Sequence, residues 1–72
     1  MNLKKLKSIR IEKDYTQKDL AKYIGMSSKT YNRKELGIVE FNRKEIQEIA
    51  KVLNLSIQMV NKIFFENDLP KV

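Results

Sequence analysis

Apolar residues recur along this chain at three- and four-residue intervals, the period of an amphipathic helix. Leu3, Leu6 and Ile9 with Arg10 predict a first helix over about Leu3–Lys13, and Gln17, Leu20, Ala21 and Ile24 a second over about Gln17–Ile24. A third, about Ser28–Glu35, turns Tyr31 inward and leaves polar and basic groups outside. Ile46, Ile49, Ala50 and Leu53 keep i, i+3, i+4, i+7 spacing and mark a fourth over about Arg43–Leu53. The fifth, about Ile57–Phe64, is short and apolar through Ile57, Val60, Ile63 and Phe64.

Each start has local chemistry behind it. Thr16 and Asp19 form a T-x-x-D capping box, Asn42 and Glu45 form another, and Ser27 caps the third helix. An apolar residue just before the cap and another four after it make a hydrophobic staple, which fixes the angle of chain entry. Tyr15-Thr16-Leu20, Met26-Ser27-Tyr31, Phe41-Asn42-Ile46 and Leu55-Ser56-Val60 all fit this pattern. Gly25 and Gly37 are stop signals, and Asp14 stands where glycine is preferred but a left-handed Asp is tolerated. Ala21 is small enough to let the second and third helices cross closely. The expected product is an all-α domain of five helices over residues 1–66, followed by a frayed tail over 67–72 that holds the only proline.

Composition narrows the function. At 72 residues the chain forms one domain with a small core, burying only about 60% of its unfolded surface. With neither cysteine nor histidine it lacks thiolate and imidazole metal ligands and the commonest general base. No enzymatic activity, metal, cofactor or small-molecule ligand is therefore expected. No apolar run approaches the roughly 18 residues of a membrane helix, and Met1–Leu6 leads into no signal-peptide core. The expected location is intracellular. Charge is placed unevenly. Residues 1–34 hold ten Lys/Arg against three Asp/Glu, residues 35–72 five against six, so the whole excess of +6 arises in the first half. One basic half is an electrostatic footprint for a polyanion.

That half contains Thr16–Glu35, TQKDLAKYIGMSSKTYNRKE, two short helices about a tight turn. The order LKSIRIEKDYTQKDLAKYIGMSSKTYNRKELG…F…EIQEIAKVLNLS resembles the Cro/repressor-type (Xre-like) helix-turn-helix family over about Leu3–Phe64. The elements that carry it are Arg10, Thr16-Gln17, Leu20-Ala21, Gly25, Glu35-x-Gly37 and the trailing Ala50…Leu53-Asn54-Leu55-Ser56. The ending LSIQMVNKIFF is also similar to small phage and mobile-element regulators of low-GC bacteria.

The resemblance implies a lambda-repressor-like five-helix bundle whose third helix enters the major groove of double-stranded DNA. It places Thr16 and Gln17 near a phosphate or outer base, and Ser27, Ser28, Lys29, Asn32 and Arg33 at base edges and adjacent phosphates. Their chemistry suits this. Arg33 donates bidentately to guanine, Lys29 to the same acceptors or a phosphate, and Asn32 and Ser28 donate or accept. Arg10 and Glu35 are expected to pair beneath the third helix. The aromatic residues Tyr15, Tyr31 and Phe41 read as core, not as stacking platforms for single strands. Phe64 and Phe65 cannot both face inward from one turn. A homodimer is expected to meet through Ile57, Val60, Phe64 and Phe65.

The loop departs from the family. Where polar phosphate-holding residues are usual, this chain has Leu36-Gly37-Ile38-Val39-Glu40. Either the loop packs on the fourth helix or a second subunit, with Arg43 and Lys44 taking over backbone contacts, or it serves a protein interface with weak DNA affinity. Lys34 stands where many members have an apolar residue and is expected to add charge near the DNA backbone. Glu45 and Glu48 read as a solvated helix face. The function expected is a sequence-specific regulator, a Cro-like repressor on a palindromic operator. The alternative is a protein-interaction module on the same fold, antitoxin-like or regulator-binding.

Overall fold

Five capped segments set the architecture. The computed structural model describes residues 1–65, and its order is α1 Leu3–Glu12, α2 Gln17–Tyr23, α3 Ser28–Glu35, α4 Arg43–Val52 and α5 Ile57–Val60. The last helix runs directly into a π-helical turn, Asn61–Phe65, and no strand occurs among the described residues. The fold is the expected all-α five-helix bundle. The tail expected at 67–72 lies outside the described residues.

The caps are local and complete. Asn2, Thr16, Ser27, Asn42 and Ser56 each accept the backbone N–H three residues on, satisfying a donor that a helix start leaves unpaired. At Thr16 and Asn42 the box is reciprocal, with Asp19 and Glu45 each accepting the cap residue's own N–H at 2.9 Å. Each cap stabilises its helix by about 1 kcal/mol.

The helix ends share one device. Asp14, Gly25, Gly37 and Asn54 all have positive φ, between 52° and 85°. The next residue then donates back to the carbonyl five positions earlier: Tyr15 to Arg10 at 3.0 Å, Met26 to Ala21 at 3.0 Å, Ile38 to Arg33 at 2.9 Å and Leu55 to Ala50 at 2.9 Å. These are Schellman closures. In three of them the following residue caps a new helix, so Asp14-Tyr15-Thr16, Gly25-Met26-Ser27 and Asn54-Leu55-Ser56 are one three-residue connector used three times. Its apolar middle residue closes one helix and staples the next, and Tyr15, Met26 and Leu55 are all half-buried against the core.

The core is a single cluster. Leu6, Leu20, Tyr31, Ile49, Leu53 and Ile63 are fully enclosed, joined by Ile9, Ala21, Phe41, Ile46 and Phe64. Phe41 bridges α3 and the C-terminal π turn, its ring centroid 5.9 Å from Tyr31 and 5.7 Å from Phe64. Each such side chain contributes about 1.5–3 kcal/mol by leaving water.

The C-terminal end differs from expectation. Phe64, expected at a dimer interface, is only 4% exposed and belongs to the core, whereas Phe65 is 58% exposed. Ile57 is 78% exposed, so the inward stripe expected along α5 holds at Val60, Ile63 and Phe64 but not at Ile57. Ile57 is the first residue of α5 and precedes the π turn, Asn61–Phe65, whose Ile63 and Phe64 are both buried. The Ile63 carbonyl accepts the Asn2 N–H at 2.6 Å, tying the start of α1 to the end of the fold.

Candidate nucleic-acid interface

The second and third helices are held at a fixed angle by charge as well as packing. Arg10 of α1 and Glu35 of α3 form a fork, Nε to Oε2 and Nη2 to Oε1, both 3.0 Å, with side chains 7% and 3% exposed. Arg10 Nη1 also donates to the Tyr15 carbonyl at 2.8 Å. Tyr31 donates its hydroxyl to Glu35 Oε2 at 2.5 Å, and Gln17 of α2 donates to Oε1 at 3.3 Å. Asn32 in turn donates to Gln17 Oε1 at 2.9 Å. One continuous network therefore joins α1, α2 and α3, and every buried side-chain nitrogen or oxygen among the described residues has a partner.

The charges respond accordingly. Burial alone would raise the Glu35 carboxyl, but donation from Arg10, Tyr31 and Gln17 outweighs it and holds the group below the usual carboxylate range. Arg10 is raised by its bond to Glu35, and burial beside Glu35 pushes the Tyr31 phenol well above its ordinary value. Glu35 is thus an ionised acceptor with no proton to give.

A second clamp joins α3 to α4. Lys34 Nζ reaches Glu45 of α4 at 2.6 and 2.8 Å, with side chains only 11% and 15% exposed. Lys34 therefore does not add charge near a DNA backbone, contrary to expectation. Glu45 likewise is not part of a solvated face, since it caps α4 and neutralises Lys34 at once. The signal was the lysine itself: at a position usually apolar, its charge needs a buried partner.

The outer side of α3 carries what remains. Ser28, Lys29 and Arg33 are exposed and Asn32 is half-buried, and their spacing puts all four on one face. Thr30, which the spacing did not single out, is exposed as well. Ser27 and Thr30 are paired, Ser27 Oγ accepting the Thr30 N–H at 3.1 Å and donating to Thr30 Oγ1 at 2.9 Å. Ser27 Oγ is thereby tied to Thr30 by both bonds. Thr16 Oγ1 accepts the Asp19 N–H at 3.0 Å and keeps its own hydrogen, while Gln17 is turned toward Glu35 and Asn32.

Arg43 and Lys44 are exposed in the first turn of α4. Cations there oppose the helix dipole by roughly 0.3–1 kcal/mol each, so helix stability does not explain them. Of the readings left open for the loop Leu36–Phe41, packing on α4 is not what the chain shows, since Leu36, Ile38 and Val39 are exposed and only Phe41 enters the core; a second subunit or a protein interface stays open. Gly37 turns this loop back along α1, where a Cβ would stand 3.5 Å from Leu3.

An all-α bundle with a tight two-helix turn, a rigidly braced third helix and a polar, basic outer face defines a DNA-binding helix-turn-helix regulator. Residues 6–60 match the helix-turn-helix family, and the chain belongs to that family in its Cro/Xre type. Neither a curated protein nor a solved structure shows a significant match to the chain. Among the described residues no helix is long and apolar enough to cross a membrane, and no group of three or more His, Cys, Asp or Glu is placed to hold a metal ion.

Proposed function

We propose that the protein is a sequence-specific repressor of the Cro-like kind, binding a palindromic operator as a homodimer with α3 in the major groove. The observation that carries this reading is the outer face of α3. Ser28, Lys29, Asn32 and Arg33 stand together there, while Arg10–Glu35 and Lys34–Glu45 brace the helix from behind. Lys29 and Arg33 supply guanine or phosphate contacts, and Arg43 and Lys44 supply backbone charge. Thr16 offers its free hydroxyl hydrogen to a phosphate. In this reading the protein works in the bacterial cytosol and blocks transcription by occupying the site, with no catalytic step.

A second copy is seated by the α4–α5 side. There Ile57 and Phe65 are exposed and, with Val60, Ala50 and Leu55, border an open groove of roughly 560 Å³. Phe64 plays no part, being in the core. A two-fold dimer presents its recognition helices about 34 Å apart, matching half-sites one turn apart. Site selection from random duplex DNA, followed by titration of selected and scrambled duplexes at several salt concentrations, tests the proposal. A recovered palindrome bound at least 10³-fold above scrambled DNA is the expected result. Equal affinity for both overturns sequence specificity.

The exposure of Leu36, Ile38 and Val39 supports a second reading, a protein-interaction module, antitoxin-like or regulator-binding, with weak DNA affinity. Regulatory activity that survives Lys29→Ala with Arg33→Ala but is lost in Ile38→Asp favours this alternative.

A further inference from the structure

The hydrogen-bond network beneath α3 has a direction, and that direction ends on the DNA-facing surface. Glu35, ionised and bound by Arg10, accepts only. Gln17 lies 3.3 Å from its Oε1, so the Gln17 amide must present its NH₂ group inward. The reverse orientation would set a carbonyl oxygen against a carboxylate oxygen. With its NH₂ turned inward, Gln17 presents Oε1 outward, and this oxygen takes a hydrogen from Asn32 Nδ2 at 2.9 Å. The orientation of Asn32 is thereby fixed in turn. One of its N–H groups is held by Gln17, and among the described residues no side chain or backbone N–H donates to its Oδ1.

We propose that Gln17 is a positioning residue, not a phosphate contact, and that through it Glu35 orients Asn32 as a reader of adenine. Asn32 keeps Oδ1 to accept and one N–H to donate. Adenine offers the complementary pair in the major groove, the N6 amino group as donor and N7 as acceptor. Guanine offers two acceptors, O6 and N7, so O6 would face Oδ1 with no hydrogen between them. A free asparagine could still turn its NH₂ group toward a single guanine acceptor, and the relay through Gln17 opposes that rotation. A well-made bidentate contact of this kind discriminates by roughly 5- to 150-fold. The inference rests on the reading of α3 as a sequence-specific DNA reader and assigns one base to one residue within it.

The test compares wild type, Gln17→Leu, Asn32→Ala and the double variant on a selected duplex and its single-base substitutions, at several salt concentrations. The relay gives a specific pattern. Wild type prefers adenine at one base pair of each half-site, Asn32→Ala abolishes that preference, and Gln17→Leu reduces it several-fold with the salt slope kept. The double variant then discriminates no worse than Asn32→Ala alone. If Gln17→Leu weakens binding to all duplexes alike and lowers the salt slope by about one, Gln17 is a phosphate contact and the inference is overturned. An adenine preference that survives Asn32→Ala overturns it too. A wild type that discriminates among no duplexes overturns the DNA-reading proposal itself, a separate outcome. Nuclear magnetic resonance of the free protein adds a readout that needs no DNA. The Asn32 Nδ2 proton held by Gln17 exchanges with water more slowly in wild type than in Gln17→Leu, and equal exchange in the two would exclude the relay.

Discussion

Glu35 accepts hydrogen bonds from four donors, Arg10 Nε and Nη2, the Tyr31 hydroxyl and Gln17 Nε2, so its removal reaches three helices at once. Glu35→Ala leaves the Arg10 guanidinium buried without its counter-charge, at a cost of about 3–5 kcal/mol. In a domain this small each kcal/mol moves the thermal midpoint by roughly 4–8 °C. Glu35→Ala is therefore expected to be largely unfolded at 37 °C by circular dichroism, and a midpoint within a few degrees of wild type would contradict the network. Acid probes the same group without a mutation. Because the folded state holds the Glu35 carboxyl below its ordinary value, its contribution is complete above the unfolded value of about 4.3 and is lost as pH falls through the folded one. Asp19, lowered by the Thr16 N–H, acts in the same direction. Arg10 stays charged throughout. Melting midpoints measured from pH 6 down to pH 2 should fall steeply below about pH 4 in wild type and less steeply in Glu35→Gln.

At the scale of elements, the repeated connector makes a separate claim. Asp14 holds a φ of 64° that costs a non-glycine residue energy, and its carboxylate stands at the negative end of α1. Asp14→Gly relieves both, and a gain of about 1 kcal/mol is expected in thermal or urea unfolding. Gly25→Ala, with a φ of 75° and no atom within 4 Å of the added Cβ, should lose about 1–2 kcal/mol from backbone strain alone. If the two substitutions shift stability in the same direction, helix closure is not governed by the left-handed residue. This grammar was legible in the sequence because caps, boxes and staples act within three or four residues. Helices α1 to α4 accordingly fall within a residue of the spans read from periodicity, differing only where a capping residue was counted as helical. The failures share one cause, dependence on something non-local. Lys34 finds Glu45 eleven residues away on another helix, so a reading of local spacing left both in solvent. Ile57 fits the inward spacing of α5 yet is exposed, because what covers the first turn of a helix is set by the rest of the fold. Of the candidate site, the outward face of α3 was visible in its spacing. The inward turn of Gln17 and the pairing of Ser27 with Thr30 were not, because each depends on a partner with other possible uses.

The whole molecule divides into a basic first half that carries α1 to α3 and a nearly neutral second half in which Ile57 and Phe65 are exposed. Two such copies meeting through the second half would point both basic halves the same way, which is what a two-fold operator requires. Phe65 separates this assembly from folding more cleanly than any neighbour does. It borders the α4–α5 groove yet remains largely exposed, whereas Phe64 beside it packs against Phe41 in the core. Phe65→Asp should therefore melt near wild type but sediment as a monomer where wild type is a dimer. Its affinity for an isolated half-site should match wild type, because α3 and its braces are untouched. On the full palindrome it should lose the gain from joining two half-sites, roughly 10²-fold or more. Ile38→Asp, at the exposed loop on the other side of α3, should leave both the dimer and the palindrome gain in place. The reverse pattern, with assembly lost in Ile38→Asp and kept in Phe65→Asp, would move the dimer contact from the α4–α5 groove to the Leu36–Val39 loop.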